Sequence, residues 1–172
     1  RQAGIALSNA RLLERLRLSE TQLRESEARF RYLVTASPDV VWEVDREGRF
    51  TFVSDVVERL TGYRPEELVG RHMSEFIAPE TIGQAQRQLQ DAMSEPDRVA
   101  VARFALRRRD GSSVPIENFA TGMVRDGVLV GGHGAGRDLS ERNRLERDLR
   151  RQAAEIAASS ERAHLARELH DS

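Results

Sequence analysis

Residues 37–50 read S-P-D-V-V-W-E-V-D-R-E-G-R-F. Ser37-Pro38-Asp39 stops a helix, because proline lacks a backbone donor and restricts the residue before it. Val40 to Asp45 is dense in β-branched and aromatic side chains, a strand by propensity. Arg46-Glu47-Gly48-Arg49 supplies a turn, and Phe50-Thr51-Phe52-Val53-Ser54 completes a hairpin. Residues 55–92 are broken into short helical pieces by Gly62, Pro65, Gly70 and Pro79. Three further strand patterns follow: Val99 to Arg108, Ser113 to Thr121 and Gly127 to Gly136. Arg109-Asp110-Gly111 and Arg125-Asp126-Gly127 are the turns between them. Two strands, short helices and three strands predict an α+β fold, a five-stranded antiparallel sheet with its helices on one face.

The flanks have a different period. Residues 1–36 contain no proline and a single glycine, Gly4. Ile5, Leu12, Ser19 and Ser26 repeat every seven residues, as do Asn9, Leu16, Leu23 and Phe30. Together they form a coiled-coil seam flanked by Arg and Glu. A helix of about 30 residues is about 45 Å long, too long to hide that seam on a small domain. Residues 139–172 are helical again, with Asp138 or Ser140 expected as the cap. Leu145, Leu149, Gln152, Ile156, Ser159, Ala163 and Ala166 follow a 4-3 spacing. That seam turns small and polar along its length, so its pairing is expected to be marginal and able to shift. The expected organisation is a long helix at 1–36, an α+β domain at 37–138 and a second long helix at 139–172.

Composition narrows the function. Charged residues make up 32 % of the 172-residue chain, a share that suits long solvated helices. The net charge of −1 argues against a nucleic-acid partner, whose binding face would be basic. The absence of cysteine excludes disulfides, thiolate metal sites and cysteinyl flavin adducts. No apolar run approaches the ~20 residues of a membrane span and no signal peptide is recognisable, so a cytoplasmic location is expected. The chain begins at Arg1 and stops inside a helical pattern, which reads as a segment of a longer protein.

Three resemblances follow. S-P-D-V-V-W-E-V-D-R-E-G-R-F at 37–50, L-T-G-Y-R-P-E-E-L-V-G-R at 60–71, R-R-R-D-G-S-S-V-P-I-E at 107–117 and G-R-D-L-S-E-R at 136–142 resemble a PAS domain. The resemblance implies an α+β sensor that dimerises through flanking helices. Asp138-Leu139-Ser140 matches the family's link from last strand to output helix, so Asp138 and Ser140 are the implied signal-coupling residues. E-R-A-H-L-A-R-E-L-H-D-S at 161–172 resembles the phospho-acceptor helix of sensor histidine kinases whose H-box ends in E-L-H-D. It implies that His170 accepts the phosphoryl group and that Asp171 is its acidic neighbour. The chemistry is coherent: a neutral imidazole nitrogen attacks the γ-phosphate while an adjacent carboxylate fixes its tautomer. Q-A-G-I-A-L-S-N-A-R-L-L-E-R-L at 2–16 is similar to the last helix of a GAF domain and implies a further sensor upstream.

These resemblances imply a two-component sensor kinase: a homodimer through parallel helices that passes phosphate to a response regulator. ATP belongs to a kinase domain outside this stretch, and no cofactor or metal is expected within it. The region of Glu80 to Met93 lacks the histidine that would ligate haem, and His72 and His133 read as surface or hydrogen-bonded side chains. Trp42 reads as a core aromatic. Gly131 to Gly136 fails the context of a dinucleotide loop and reads as room for close backbone packing. Arg107-Arg108-Arg109 reads as a solvated hairpin end. The alternative to a relay is a PAS receptor for a small molecule or cofactor, or a ligand-free dimerisation module.

Overall fold

The computed structural model describes the backbone of residues 2–170 and the side chains of residues 9–167. Helix α1 spans Gln2–Ala36 and ends at Ser37-Pro38, the break the proline predicts. Strand β1 (Val40–Asp45) turns through Gly48 into β2 (Phe50–Val53). Short helices α2 (Val56–Thr61) and α3 (Pro65–Leu68) follow, then 3-10 turns at Met73–Phe76 and Pro79–Thr81. Helix α4 (Ile82–Ser94) is longer than the broken sequence pattern suggests. Then come β3 (Ala100–Arg107), β4 (Ser113–Arg125), β5 (Val128–Asp138) and α5 (Ser140–His170).

The five strands form one antiparallel sheet in the order β2-β1-β5-β4-β3. The last strand therefore inserts beside the first, and the chain leaves from the centre of the sheet. β4 and β5 run further than their propensity predicts. The two-residue turn Asp126-Gly127 has φ of 51° and 76°, the double positive-φ turn whose twist matches long paired strands.

Alternate side chains of the strands face the helices: Val40, Trp42 and Val44 from β1, Phe104 from β3, Ile116, Asn118 and Ala120 from β4. They pack in two adjoining clusters. One gathers Val53, Val56, Val57, Leu68 and Phe76, the other Met73, Ile77, Ala85, Phe104 and Ile116. Among the described residues, no buried side-chain nitrogen or oxygen lacks a hydrogen-bond partner.

The flanking helices are another matter. Leu12, Leu16 and Leu23 of α1 and Leu145, Leu149 and Ile156 of α5 are more than half exposed. α1 touches the domain near its end, where the Phe30 ring meets Phe52 of β2 at 6.4 Å. Both helices leave an apolar stripe in water, against the ordinary rule for amphipathic helices.

Candidate sensing pocket and output junction

Between the sheet and the helices lies an apolar cavity of about 60 Å³, traced by the centre of a water-sized sphere. Trp42, Phe76, Leu89, Phe104 and Ile116 are among its walls. A single water needs about 10–15 Å³ on this measure, so the space suits a few waters or a small organic molecule. Three polar side chains cross the wall as a chain. The Trp42 indole N–H donates to Asn118 Oδ1 at 2.9 Å, and Asn118 Nδ2 donates to Gln88 Oε1 at 2.9 Å. Gln88 Nε2 donates to the carbonyls of Ala100 at 2.8 Å and Asn118 at 2.6 Å. Each amide is thus engaged within the protein, and the chain ties α4 to three strands. Such buried networks are stable only when complete.

Glycines shape the same wall. A Cβ on Gly134 would lie 2.0 Å from the Phe119 carbonyl oxygen and 2.8 Å from Trp42 Cζ2. Only a hydrogen fits there, which is how the indole lies against β5. This agrees with reading Gly131 to Gly136 as room for close packing.

The Arg107-Arg108-Arg109 run keeps the solvent exposure expected of a hairpin end, but it is also hydrogen-bonded into the domain, which the sequence reading did not foresee. Arg107 donates to the Glu75 carbonyl, and Arg108 Nε donates to the Leu60 carbonyl at 2.9 Å. Arg109 pairs with the Glu67 carboxylate, donates to the Gly62 carbonyl at 2.9 Å and lies over the Tyr63 ring at 4.7 Å. The β3–β4 turn thereby straps down α2 and α3. Residue-level charge counting misses this because the acceptors are carbonyls and a carboxylate more than 30 residues away. The Arg109 hydrogen bond, helped by the Arg64 backbone N–H, holds the Glu67 carboxyl below its ordinary pKa. Arg71, over the Phe76 ring, holds Glu75 low in the same way.

The outlet is built from the ends of β1 and β5. Arg137 donates to both Asp39 carboxylate oxygens, at 3.3 and 3.0 Å, tying the entry of the domain to its exit. That hydrogen-bonded pair raises the Arg137 pKa. Leu139 is buried, its N–H donates to the Pro115 carbonyl at 2.9 Å, and its carbonyl accepts from Asn143 N–H at 2.8 Å. Asp138 Oδ1 accepts from the Ser140 backbone N–H at 2.7 Å. Of the two expected caps, Asp138 serves with its carboxylate, while Ser140 is the first residue of α5 and supplies the N–H that is capped. No flexible linker separates β5 from α5.

The model of the PAS fold family matches residues 34–144. The chain belongs to the PAS fold family. Its PAS domain has the fold of the PAS domain of an HTR-like protein from Haloarcula marismortui: 25 % identity, TM-score 0.61, covering 71 % of this chain and 98 % of that one. It also has the fold of a sensory box histidine kinase/response regulator from Burkholderia thailandensis, at 20 % identity and TM-score 0.56, over 75 % and 98 % of the two chains. Among curated proteins, y4lL of Sinorhizobium fredii is 24 % identical over 86 % of this chain. White collar 2 protein of Neurospora crassa is 32 % identical over 41 % of it. The chain spans 18 % and 14 % of those two relatives' own lengths.

Within this PAS domain, the sequence-predicted residues fall into three groups. Asp138 and Ser140 meet at the outlet. His72 caps the 3-10 turn, its Nδ1 accepting from Ser74 N–H at 3.2 Å, and His133 sits on the outer sheet face beside Thr121 Oγ1 at 3.1 Å. No group of His, Asp and Glu fit to hold a metal occurs among the described residues. The backbone of His170 ends α5, but its side chain and all of Asp171 lie outside the described residues. Sequence reading missed Gln88 and Asn118. Both are polar residues at core-facing positions, Gln88 on α4 and Asn118 at the even step of β4, and that mismatch with period was the available signal.

Proposed function

We propose that this PAS domain is the sensor-to-output segment of a cytoplasmic, homodimeric two-component histidine kinase, and that it passes a signal along parallel helices to His170. Residues 37–138 sense or relay, and 1–36 and 139–172 are the signalling helices, the first continuing from an upstream GAF-like sensor. His170 is the phospho-acceptor and Asp171 its orienting carboxylate. The kinase domain that binds ATP and the response regulator act in trans or from elsewhere in the protein. The observation that carries this reading is the outlet: Asp138, Leu139 and Ser140 join the central strand directly to a 31-residue helix, and the sequence at its far end reads E-L-H-D. The histidine kinase named among the structural neighbours lends support at the level of fold.

The test is direct. Incubated with ATP alone, residues 1–172 take up no phosphate. With a histidine kinase catalytic domain added in trans they take it up, and His170→Gln abolishes the label. Label persisting in His170→Gln sinks the assignment.

A second reading, a receptor for a small ligand, rests on the apolar cavity. Its walls offer contact but no free charge, so the ligand class is small and uncharged. Native mass spectrometry of the purified chain would reveal a co-purified molecule.

A further inference from the structure

Two side chains touch both the core cavity and the surface beyond it. Leu89 of α4 and Met73 of the first 3-10 turn line the apolar cavity, and both also line an outer cleft rimmed by Gln86, Gln90 and Glu47. Cavity and cleft are neighbours at this point, divided by a leucine and a methionine. The helix explains the placement. Ala85, Gln88 and Ala92 are the buried face of α4, and Gln86 and Gln90 are exposed. Leu89 stands on the border between those faces and is half-buried.

The backbone behind both residues is held, whereas the side chains can turn. Gln88 fixes α4 through the Ala100 and Asn118 carbonyls, and the Met73 N–H donates to the Gly48 carbonyl at 2.9 Å. Met73 is an unbranched thioether with three rotatable bonds. Leu89 meets β5 at Gly132, where a Cβ would lie 3.1 Å from Leu89 Cδ1. The leucine therefore rests on bare backbone at that residue, with no side chain of residue 132 to interlock with it. Other walls are stiffer. Val53 divides the cavity from the groove beside α1, and it is a buried β-branched residue paired with Trp42 in the sheet. Thr61 divides it from the hollow beside Arg108 and Arg109, and its hydroxyl donates to the Val57 carbonyl at 2.8 Å.

We propose that Leu89 and Met73 form the door through which a small uncharged ligand passes between the outer cleft and the core, by rotation of the two side chains with the backbone in place. This rests on the receptor reading of the cavity, and the test separates the two. Xenon is the probe, since apolar cavities take it up, and its exchange with the whole chain is followed by saturation-transfer xenon NMR. Leu89→Ala raises the association rate about tenfold, equal to about 1.4 kcal/mol off the barrier, and Met73→Ala acts in the same direction. Val53→Ala enlarges the same cavity and Thr61→Ser trims a methyl from its wall, yet both leave that rate within about twofold. If Leu89→Ala does not fold, Leu89→Met keeps the volume, loosens the end of the side chain and raises the rate as well. An unchanged rate in the folded Leu89 variant, or an equal rise in Val53→Ala, overturns the door, while the bound xenon still supports the receptor reading. A chain that takes up no xenon in any variant sinks the receptor reading and the door with it.

Discussion

Helices α1 and α5 leave the same small domain and are built on opposite plans. α1 has a leucine-rich seam flanked by Arg and Glu, but it joins the sheet through Ser37-Pro38. α5 has a seam that fades into Gln152, Ser159 and Ala163, yet it is fixed to the sheet by Leu139, the Pro115 carbonyl and the Asp138 cap. The richer apolar seam and the firmer attachment to the sheet are thus divided between them. A helix firmly attached to the core but weakly committed to its partner is the one whose packing a change in the core can alter.

Four experiments break or sharpen that contrast. The largest effect is expected from Asn118→Leu, which strands the Trp42 N–H and the Gln88 amide in an apolar wall. Two unmet buried groups cost about 4 kcal/mol together, read as a loss in urea-unfolding free energy. Hydrogen exchange in the first turn of α5 should rise with it, and exchange in α1 between residues 9 and 26 should not. Equal acceleration in both helices would erase the distinction.

Leu139→Ala removes the buried side chain at the weld and should cost about 3 kcal/mol. The informative readout is again local, with faster exchange from Ser140 to Asn143 and an unchanged dimer constant. Asp138→Ala should cost about 1 kcal/mol as a lost cap, and Asp138→Asn, which keeps an acceptor oxygen, should recover most of it. A dimer constant that falls with either variant would mean that α5, not α1, supplies the self-association.

The smallest effect concerns the arginine strap, which touches neither helix. Hydrogen bonds from Arg109 and the Arg64 backbone hold Glu67 below the ordinary value of 4.5. A lowered carboxyl contributes stability that is complete above the ordinary pKa and is lost as pH falls through the folded one. Glu67→Gln should therefore unfold alike to the parent at low pH and slightly more easily near neutrality. An acid titration followed by circular dichroism compares them, and solvent screening keeps the difference small.

Part of this contrast is legible in the sequence. Pro38 ends the first helix wherever the sheet lies, because a missing backbone donor is a local fact. The seven-residue repeats are equally local, as is the Asp126-Gly127 turn. The hydrogen bonds of Arg107 to Arg109 were not legible because their acceptors, Glu75, Leu60, Gly62 and Glu67, are remote in sequence. Gln88 and Asn118 looked like interruptions of two apolar faces. They meet because the crossover order β2-β1-β5-β4-β3 lays α4 over β4.

By itself the sequence determined where helices stop, which faces are apolar and which charges flank the α1 stripe, since each depends on neighbours within a turn or two. The tertiary structure decided that the last strand lies beside the first, that Asp39 and Arg137 close the domain together, and that a glycine strand makes room for Trp42. Those outcomes come from pairing residues up to 98 positions apart, a matter of chain topology that no local pattern encodes.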